Sequence, residues 1–195
     1  MKVPGNYLTK VQQHPDEIRD FVAFLAEKKI GSFLEVGSKF GGTLWMITRI
    51  MPRGSRVVSV DLPNSHWGRS ESQDSLVACI DRLRADGFDA HLFLGDSTDP
   101  EIVKRVRKLA PFDAIFIDAN HTEPYVRRDF ANYGRLARIV CFHDIGWNNP
   151  TPVGRLAIEV PKVWAELKDI QGPYADFSEI RHDIGHNGIG ILQWR

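Results

Sequence analysis

Apolar residues along the chain follow two alternating rhythms. Short β-rich runs are each succeeded by a stretch with apolar residues three and four apart, five times in a row. That alternation predicts an α/β fold with a mostly parallel sheet. Pro15 opens a first helix that carries Ile18, Phe21, Val22 and Leu25 on one face, and Gly31 stands as its stop signal. Strands are predicted at Ser32–Val36, Arg56–Asp61, His91–Leu94, Ala114–Asp118 and Arg138–His143. The fourth is almost wholly apolar, as expected of a central strand covered on both faces. Between them lie helices through Leu44, Met46, Ile47 and Ile50, from about Ser70 to Asp86, after Asp99-Pro100, and after Thr122-Glu123-Pro124. Asp99-Pro100 combines a capping acid with a first-turn proline. A further helix surrounds Val163, Trp164 and Leu167. Two last strands, Phe177–His182 and Gly188–Trp194, are joined by a short linker ending in Asn187-Gly188, a tight-turn signal, so the chain closes with an antiparallel hairpin.

Composition narrows the function. The 195 residues fit one domain, 1–195, with 1–30 as an N-terminal helical segment. Lys+Arg and Asp+Glu both number 25, so the net charge is zero, which argues against a protein held to nucleic acid or an anionic membrane by charge. No apolar run approaches the ~18 residues that span a bilayer. The first residues lack the apolar core of a secretory signal. Two cysteines, Cys79 and Cys141, make no disulfide framework. A cytoplasmic location is the default expectation, and a homo-oligomer is compatible with everything in the sequence.

In open α/β sheets ligands bind beyond the carboxyl ends of the strands. Polar and acidic residues gather there after each of the five strands: Glu35, Gly37, Gly41 and Gly42; Asp61; Gly95, Asp96 and Ser97; Asp118, Asn120 and His121; then His143, Asp144, Trp147 and Asn148. Any one of these could be a loop former or helix cap. Five such groups at one edge point to a binding rim. The segment Glu35-Val36-Gly37-Ser38-Lys39-Phe40-Gly41-Gly42-Thr43 is neither the GxxxxGK[ST] phosphate loop nor the GxGxxG dinucleotide turn. Its glycines would let a ligand approach the backbone and let the helix start tight against the strand. Glu35 would repel a pyrophosphate but suit a cation, and Asp61 ends the next strand, where an acid can chelate ribose hydroxyls. The expected ligand is a nucleoside with positive charge and no phosphate.

With these residues the chain resembles the class I S-adenosylmethionine-dependent methyltransferases, from Gly31 to the final hairpin. The resemblance implies a Rossmann-like seven-stranded sheet in the order 3-2-1-4-5-7-6. It places Glu35, Gly37 and Gly41 near the methionine and ribose parts of S-adenosylmethionine, Asp61 on the ribose, and Asp96-Ser97 beside the adenine. Ser38, Thr43, Gly95 and Asp118 complete the cofactor-binding candidates. A narrower resemblance rests on Phe112-Asp113-Ala114-Ile115-Phe116-Ile117-Asp118-Ala119-Asn120-His121-Thr122-Glu123, on Tyr125-Val126-Arg127-Arg128-Asp129-Phe130 and on Phe142-His143-Asp144-Ile145. It is to the small metal-dependent O-methyltransferases of sugars and macrolides and the cephalosporin-hydroxylase-like group. That resemblance implies Mg²⁺ or Mn²⁺ held by Asp118, Asp144 and, in the place of the pair's other member, His143. The chain departs from the pattern at Asn120, where members often have a second acid, and at Gly134-Arg135-Leu136-Ala137-Arg138, where many have Gly-Gly.

The expected reaction is methyl transfer to a hydroxyl oxygen of a small molecule, a sugar or natural product. Asp118, His121 and His143 are the catalytic candidates, with either histidine as the base. Helix capping is the bland alternative for Asp118, Asp144 and His121, and both readings stay open at this point. His66 and Trp67 could cover the cofactor or form a surface turn, and Trp147-Asn148-Asn149-Pro150 could wall the acceptor site or pack on the sheet edge. Two other functions compete: an NAD-type oxidoreductase using Asp61 on a ribose, and a non-catalytic nucleoside-binding module.

Overall fold

The β-rich runs form strands and the stretches between them form helices. The computed structural model describes residues 11, 13–63, 70–147, 157–182 and 187–195. In chain order the elements are α1 (Pro15–Glu27), β1 (Ser32–Val36), α2 (Gly42–Thr48), β2 (Arg56–Asp61), α3 (Ser70–Ala85), β3 (Asp89–Leu94), α4 (Pro100–Arg107), β4 (Phe112–Ile117), α5 (Glu123–Tyr133), β5 (Ala137–Phe142), α6 (Val160–Gln171), β6 (Ala175–Ile180) and β7 (Ile189–Trp194). One seven-stranded sheet runs β3-β2-β1-β4-β5-β7-β6, the expected order. Strands β1 to β5 pair in parallel, and β7 lies antiparallel to both β5 and β6. This is the Rossmann-like sheet that the resemblance implies. Residues Asn64, His66, Trp67, Gly68, Asn148, Asn149 and Pro150 lie outside the described residues, as do residues 183–186 of the β6–β7 linker. Among the described residues no helix is long and apolar enough to cross a membrane.

Alternation along each strand divides the core into two layers. Leu34, Val58, Ile115 and Val140 face the layer built with Val103, Val106, Val126, Val163 and Trp164 of α4, α5 and α6. Phe33, Val57, Ala114, Phe116 and Ile139 face the other, against Phe21, Leu25, Leu44, Ile47, Leu76 and Ile80 of α1, α2 and α3. Successive strand residues point to opposite faces, so covering both faces requires nearly continuous apolar runs. Each fully buried side chain of this kind contributes about 1.5–3 kcal/mol.

Where the boundaries differ from expectation, polar contacts explain it. Strand β3 begins at Asp89, before the apolar run, because Asp89 pairs with Arg56 in the ladder and its carboxylate lies 3.0 Å from the Arg56 Nε. Strand β4 begins at Phe112, and Asp113 accepts hydrogen bonds from the Gly31 N–H (2.8 Å) and the Ser32 hydroxyl (2.9 Å). Helix α2 stops at Thr48, whose hydroxyl bonds the Trp45 carbonyl at 2.8 Å, while the Ile50 N–H reaches back only three residues to Ile47. Strand β7 starts at Ile189. The preceding Gly188 has φ +90° and gives its N–H to the Glu17 carboxylate instead of the ladder.

Candidate active site

The rim at the carboxyl ends of β1, β2, β4 and β5 collects the candidate residues, and it has two unlike halves. The first is the loop after β1. Gly37 has φ +91°, and its N–H bonds the Val60 carbonyl at 2.8 Å. A Cβ at Gly37 would stand 2.2 Å from the Asp118 carbonyl oxygen, so the space that requires glycine is taken by the backbone after β4. Gly41 has φ +81° at the N-cap of α2, and a Cβ there would lie 2.9 Å from the Cys79 Cβ. At both positions protein packing excludes a side chain, which agrees with glycines that let the helix start tight against the strand.

Asp61 spans the same loop. Its Oδ2 accepts the N–H groups of Ser38 and Lys39, each at 2.8 Å. Burial pushes the Asp61 carboxyl upward, and these two N–H groups and the Lys39 charge offset part of that. Glu35 is 1% exposed, and its Oε2 is buried with no hydrogen-bond partner. Burial drives its carboxyl well above the ordinary range. Ser38 eases the shift, while the nearby charges of Asp118 and Asp61 add to it. Buried Ser38 also shares a 2.7 Å hydroxyl contact with Ser59. This half therefore concentrates carboxylates with little positive charge to balance them.

The second half is an acid–imidazole cluster. The His121 Nε2 is 3.4 Å from the Asp118 Oδ1, and its Nδ1 is 3.2 Å from the Asp144 Oδ2. The His143 Nδ1 lies 3.5 Å from the Asp118 Oδ1 and 3.2 Å from the Asp144 Oδ1. Each imidazole thus faces both acids. Burial opposes the charged forms of Asp118, His121 and His143, but the attraction of the opposite charges wins. Asp118 is held well below the ordinary carboxylate range by His143 and His121, His121 is raised by Asp118 and Asp144, and His143 is raised strongly by the same two acids. Asp144 holds φ +60°, an uncommon conformation that aspartate tolerates better than most residues. The Ile145 and Gly146 N–H groups pin it by bonding the carbonyls of Gly188 and Asn187. The His143 Nε2 is buried without a hydrogen-bond partner, and the His143 ring meets Phe116 edge-on at 6.0 Å.

This geometry separates the alternatives left open by the sequence. Asp118 and His121 do not cap α5. Its entry is satisfied by Asn120, whose Oδ1 accepts from the Thr122 N–H (3.0 Å) and hydroxyl (2.9 Å), and by Glu159, whose Oε2 accepts from the Glu123 N–H. Asn120, the residue that departs from the family pattern, is thus a turn former. Ligand atoms of Asp118, His143 and Asp144 all lie within 4.8 Å of one another, close enough to share one ion. At the adenine-side candidates, the Asp96 Oδ1 closes its own turn by accepting from the Thr98 N–H and hydroxyl, both at 2.8 Å. Ser97 is buried, and its carbonyl takes the Tyr133 hydroxyl at 2.5 Å. A Cβ at Gly95 would come within 3.1 Å of the Ile102 Cδ1.

Sequence reasoning missed two buried polar residues beside the rim. Gln13 bonds Asp118 and Thr43. Glu17 is fully buried, with its carboxylate 3.0–3.1 Å from the Gly188 N–H. Glu17 left a trace, because it stands four residues before Phe21 and eight before Leu25 on the apolar stripe of α1. Gln13 left none.

Comparison with known proteins bears on this geometry directly. A methyltransferase-domain family matches residues 34–145, more than half of the chain and the span from β1 through Asp144. No curated protein matches in sequence. Among solved structures, an O-methyltransferase from Bacillus cereus in complex with SAH superposes with a TM-score of 0.69 at 16% identity, covering 100% of this chain and 94% of that one. TomG from Streptomyces achromogenes, an O-methyltransferase involved in tomaymycin synthesis and solved with SAM, gives 0.69 at 16% identity over 98% and 91%. A putative O-methyltransferase from Klebsiella pneumoniae gives 0.68 at 15% over 100% and 92%. At these identities the likeness is one of fold. With the seven-stranded order and the matched span from the glycine loop to the second acid of the cluster, the chain belongs to the methyltransferase-domain family.

Proposed function

We propose that this protein transfers the methyl group of S-adenosylmethionine to a hydroxyl oxygen of a small molecule, a sugar or natural product, within one domain. The observation that carries the reading is the unbalanced carboxylate pair of buried Glu35 and half-buried Asp61 around the Gly37–Gly41 loop. Such a pair favours a guest that brings positive charge and hydroxyl donors, and a sulfonium-bearing amino-acid nucleoside brings both. The SAM and SAH complexes of fold relatives agree with this choice, as does their description as O-methyltransferases. The family match speaks against the NAD-type alternative, and a pyrophosphate would bring further negative charge to the half of the rim that already holds Glu35 and Asp61.

The reaction is an in-line displacement. The acceptor oxygen forms a bond to the methyl carbon, the carbon–sulfur bond breaks with its electron pair going to sulfur, and the hydroxyl proton passes to a base. Orientation supplies much of the acceleration. His121 and His143 are the bases within reach of the cluster. Asp118 and Asp144 favour their protonated forms, so the proton-accepting population grows as pH rises. Two acids and an imidazole form a donor set that fits Mg²⁺ or Mn²⁺. Asp118, Asp144 and His143 would hold the ion, which would polarise the acceptor hydroxyl. Because His143 must lose its proton to ligate, ion affinity is expected to rise with pH.

Calorimetry with SAH and with NAD at equal concentration tests the reading. Binding of SAH and not NAD is the expected result, and the reverse would overturn it. A third outcome, SAH binding with no methyl transfer to a panel of sugar and phenolic hydroxyls with or without Mg²⁺, would favour the non-catalytic module.

A further inference from the structure

Gln13 precedes α1 and lies 105 positions from Asp118 in the chain, yet it sits against the rim, 9% exposed. Its Nε2 donates to the Asp118 Oδ2 at 2.9 Å, and its Oε1 accepts from the Thr43 hydroxyl at 2.9 Å. A flipped amide would set its oxygen against a carboxylate oxygen, so the two contacts fix its orientation. The consequence for Asp118 is a division of labour between its oxygens. Oδ2 is occupied by a neutral donor. Oδ1 is the atom that faces His121 and His143.

We infer that Gln13 is a positioning residue that sets the rotation of the Asp118 carboxylate and joins the N-terminal segment to the reaction site. A neutral amide stabilises a buried anion without adding a cation that would compete with the histidines for it. The segment is anchored independently. Glu17, one turn further on, bonds the Gly188 N–H, and the Gly188 carbonyl accepts the Ile145 N–H next to Asp144. The same stretch of chain therefore reaches the acid after β4 through Gln13 and the acid after β5 through Glu17. Thr43, at the start of α2, ties the Gln13 amide to the glycine loop, so one side chain spans both halves of the rim. The catalytic meaning of this contact rests on the methyl-transfer reading, whereas the contact itself does not.

The test uses the full chain labelled with ¹⁵N at histidine, at fixed pH, with the imidazole signals of His121, His143 and His91 followed by ¹H–¹⁵N correlation spectroscopy. Gln13→Ala is expected to shift the His121 and His143 signals and leave His91, on β3, in place. Gln13→Glu, nearly isosteric but lacking the donor, should shift them further. In an Asp118→Asn background Gln13→Ala should move them little. Unmoved His121 and His143 signals in Gln13→Glu would overturn the inference. Equal movement of all three signals would also overturn it, since general loosening of the fold would then account for the effect. SAH calorimetry on the same samples keeps the two readings apart. Wild-type protein that fails to bind SAH sinks the methyl-transfer reading whatever the spectra show. Wild-type protein that binds SAH, with affinity within twofold in Gln13→Ala and unmoved imidazole signals, sinks only the positioning role.

Discussion

The two halves of the rim solve the same problem in opposite ways. Around Glu35 and Asp61, carboxylates are buried with hydrogen bonds but little balancing charge, and both are pushed toward the neutral form. Around Asp118 and Asp144, each acid faces two imidazoles, and the Asp118 carboxyl is held down although burial pushes it up. The first half is incomplete until a positive guest arrives. The second carries its own positive charge as protons on His121 and His143. Under the proposed function, one rim pairs a place for a cationic donor with a neighbouring place to handle protons. Gln13 and the Gly37 contact with the Asp118 carbonyl hold the two together.

Removing Asp118 should break the second half most severely. Asp118→Ala leaves two buried imidazoles with one acid fewer, and losing one partner of a buried ion pair costs about 3–5 kcal/mol. Urea unfolding at pH 7 measures it, and a loss below about 1 kcal/mol would mean that the cluster is not a coupled charge pair. Asp61→Ala should spare most of the fold but weaken SAH binding by about 1–3 kcal/mol in calorimetry, the scale of lost charged hydrogen bonds. Wild-type affinity would remove Asp61 from the ribose site.

pH sharpens the contrast further. His143 has a folded pKa raised above its unfolded value, so its stabilising share is complete below about pH 6.5 and is lost as pH rises through the folded value. Glu35, also raised, contributes below about pH 4.5 and loses that contribution as pH climbs. His143→Gln should therefore remove an alkaline loss of stability by deleting a favourable pair, lowering stability at pH 6. Glu35→Gln should remove one by deleting an unfavourable charge, raising stability at pH 8. Opposite signs in thermal melts at those two pH values would uphold the division of the rim, and equal signs would break it. The smallest effect on the site itself is expected at Asp129. It is fully buried on α5 beside Ser97, with its carboxyl pushed up to about 7 by burial, against which Ser97 works, and by Asp96. Asp129→Asn should flatten the fall in stability between about pH 4 and pH 7, and an unchanged slope in pH-dependent melts would show that this acid is already paired.

Most of the fold was legible in the chain because its signals are local. Ser32–Val36 and Arg56–Asp61 were readable to the residue, since Phe33-Leu34 and Val57-Val58 mark doubly covered strands and Gly31, Gly37, Gly54 and Pro63 punctuate their ends. Asp99-Pro100 marked the start of α4, and Asp99 does accept the Glu101 N–H at 2.8 Å. The rim was legible as well, because strand ends in a parallel sheet converge wherever the strands themselves are identified. What stayed hidden are contacts whose partners lie far apart in sequence: Gln13 with Asp118, Glu17 with Gly188, and Gly37 with the backbone after β4.

Alternation of hydrophobicity, proline and glycine punctuation, and the residue types at five strand ends determined the sheet, its order by resemblance, and the list of groups available for chemistry. Tertiary structure alone decided which of those groups are charged, which face one another, and why two of the glycines cannot be anything else. The reason is physical. Secondary structure depends on neighbours along the chain, whereas the state of a carboxylate or imidazole depends on burial and on charges a few ångströms away, and only folding brings those into place.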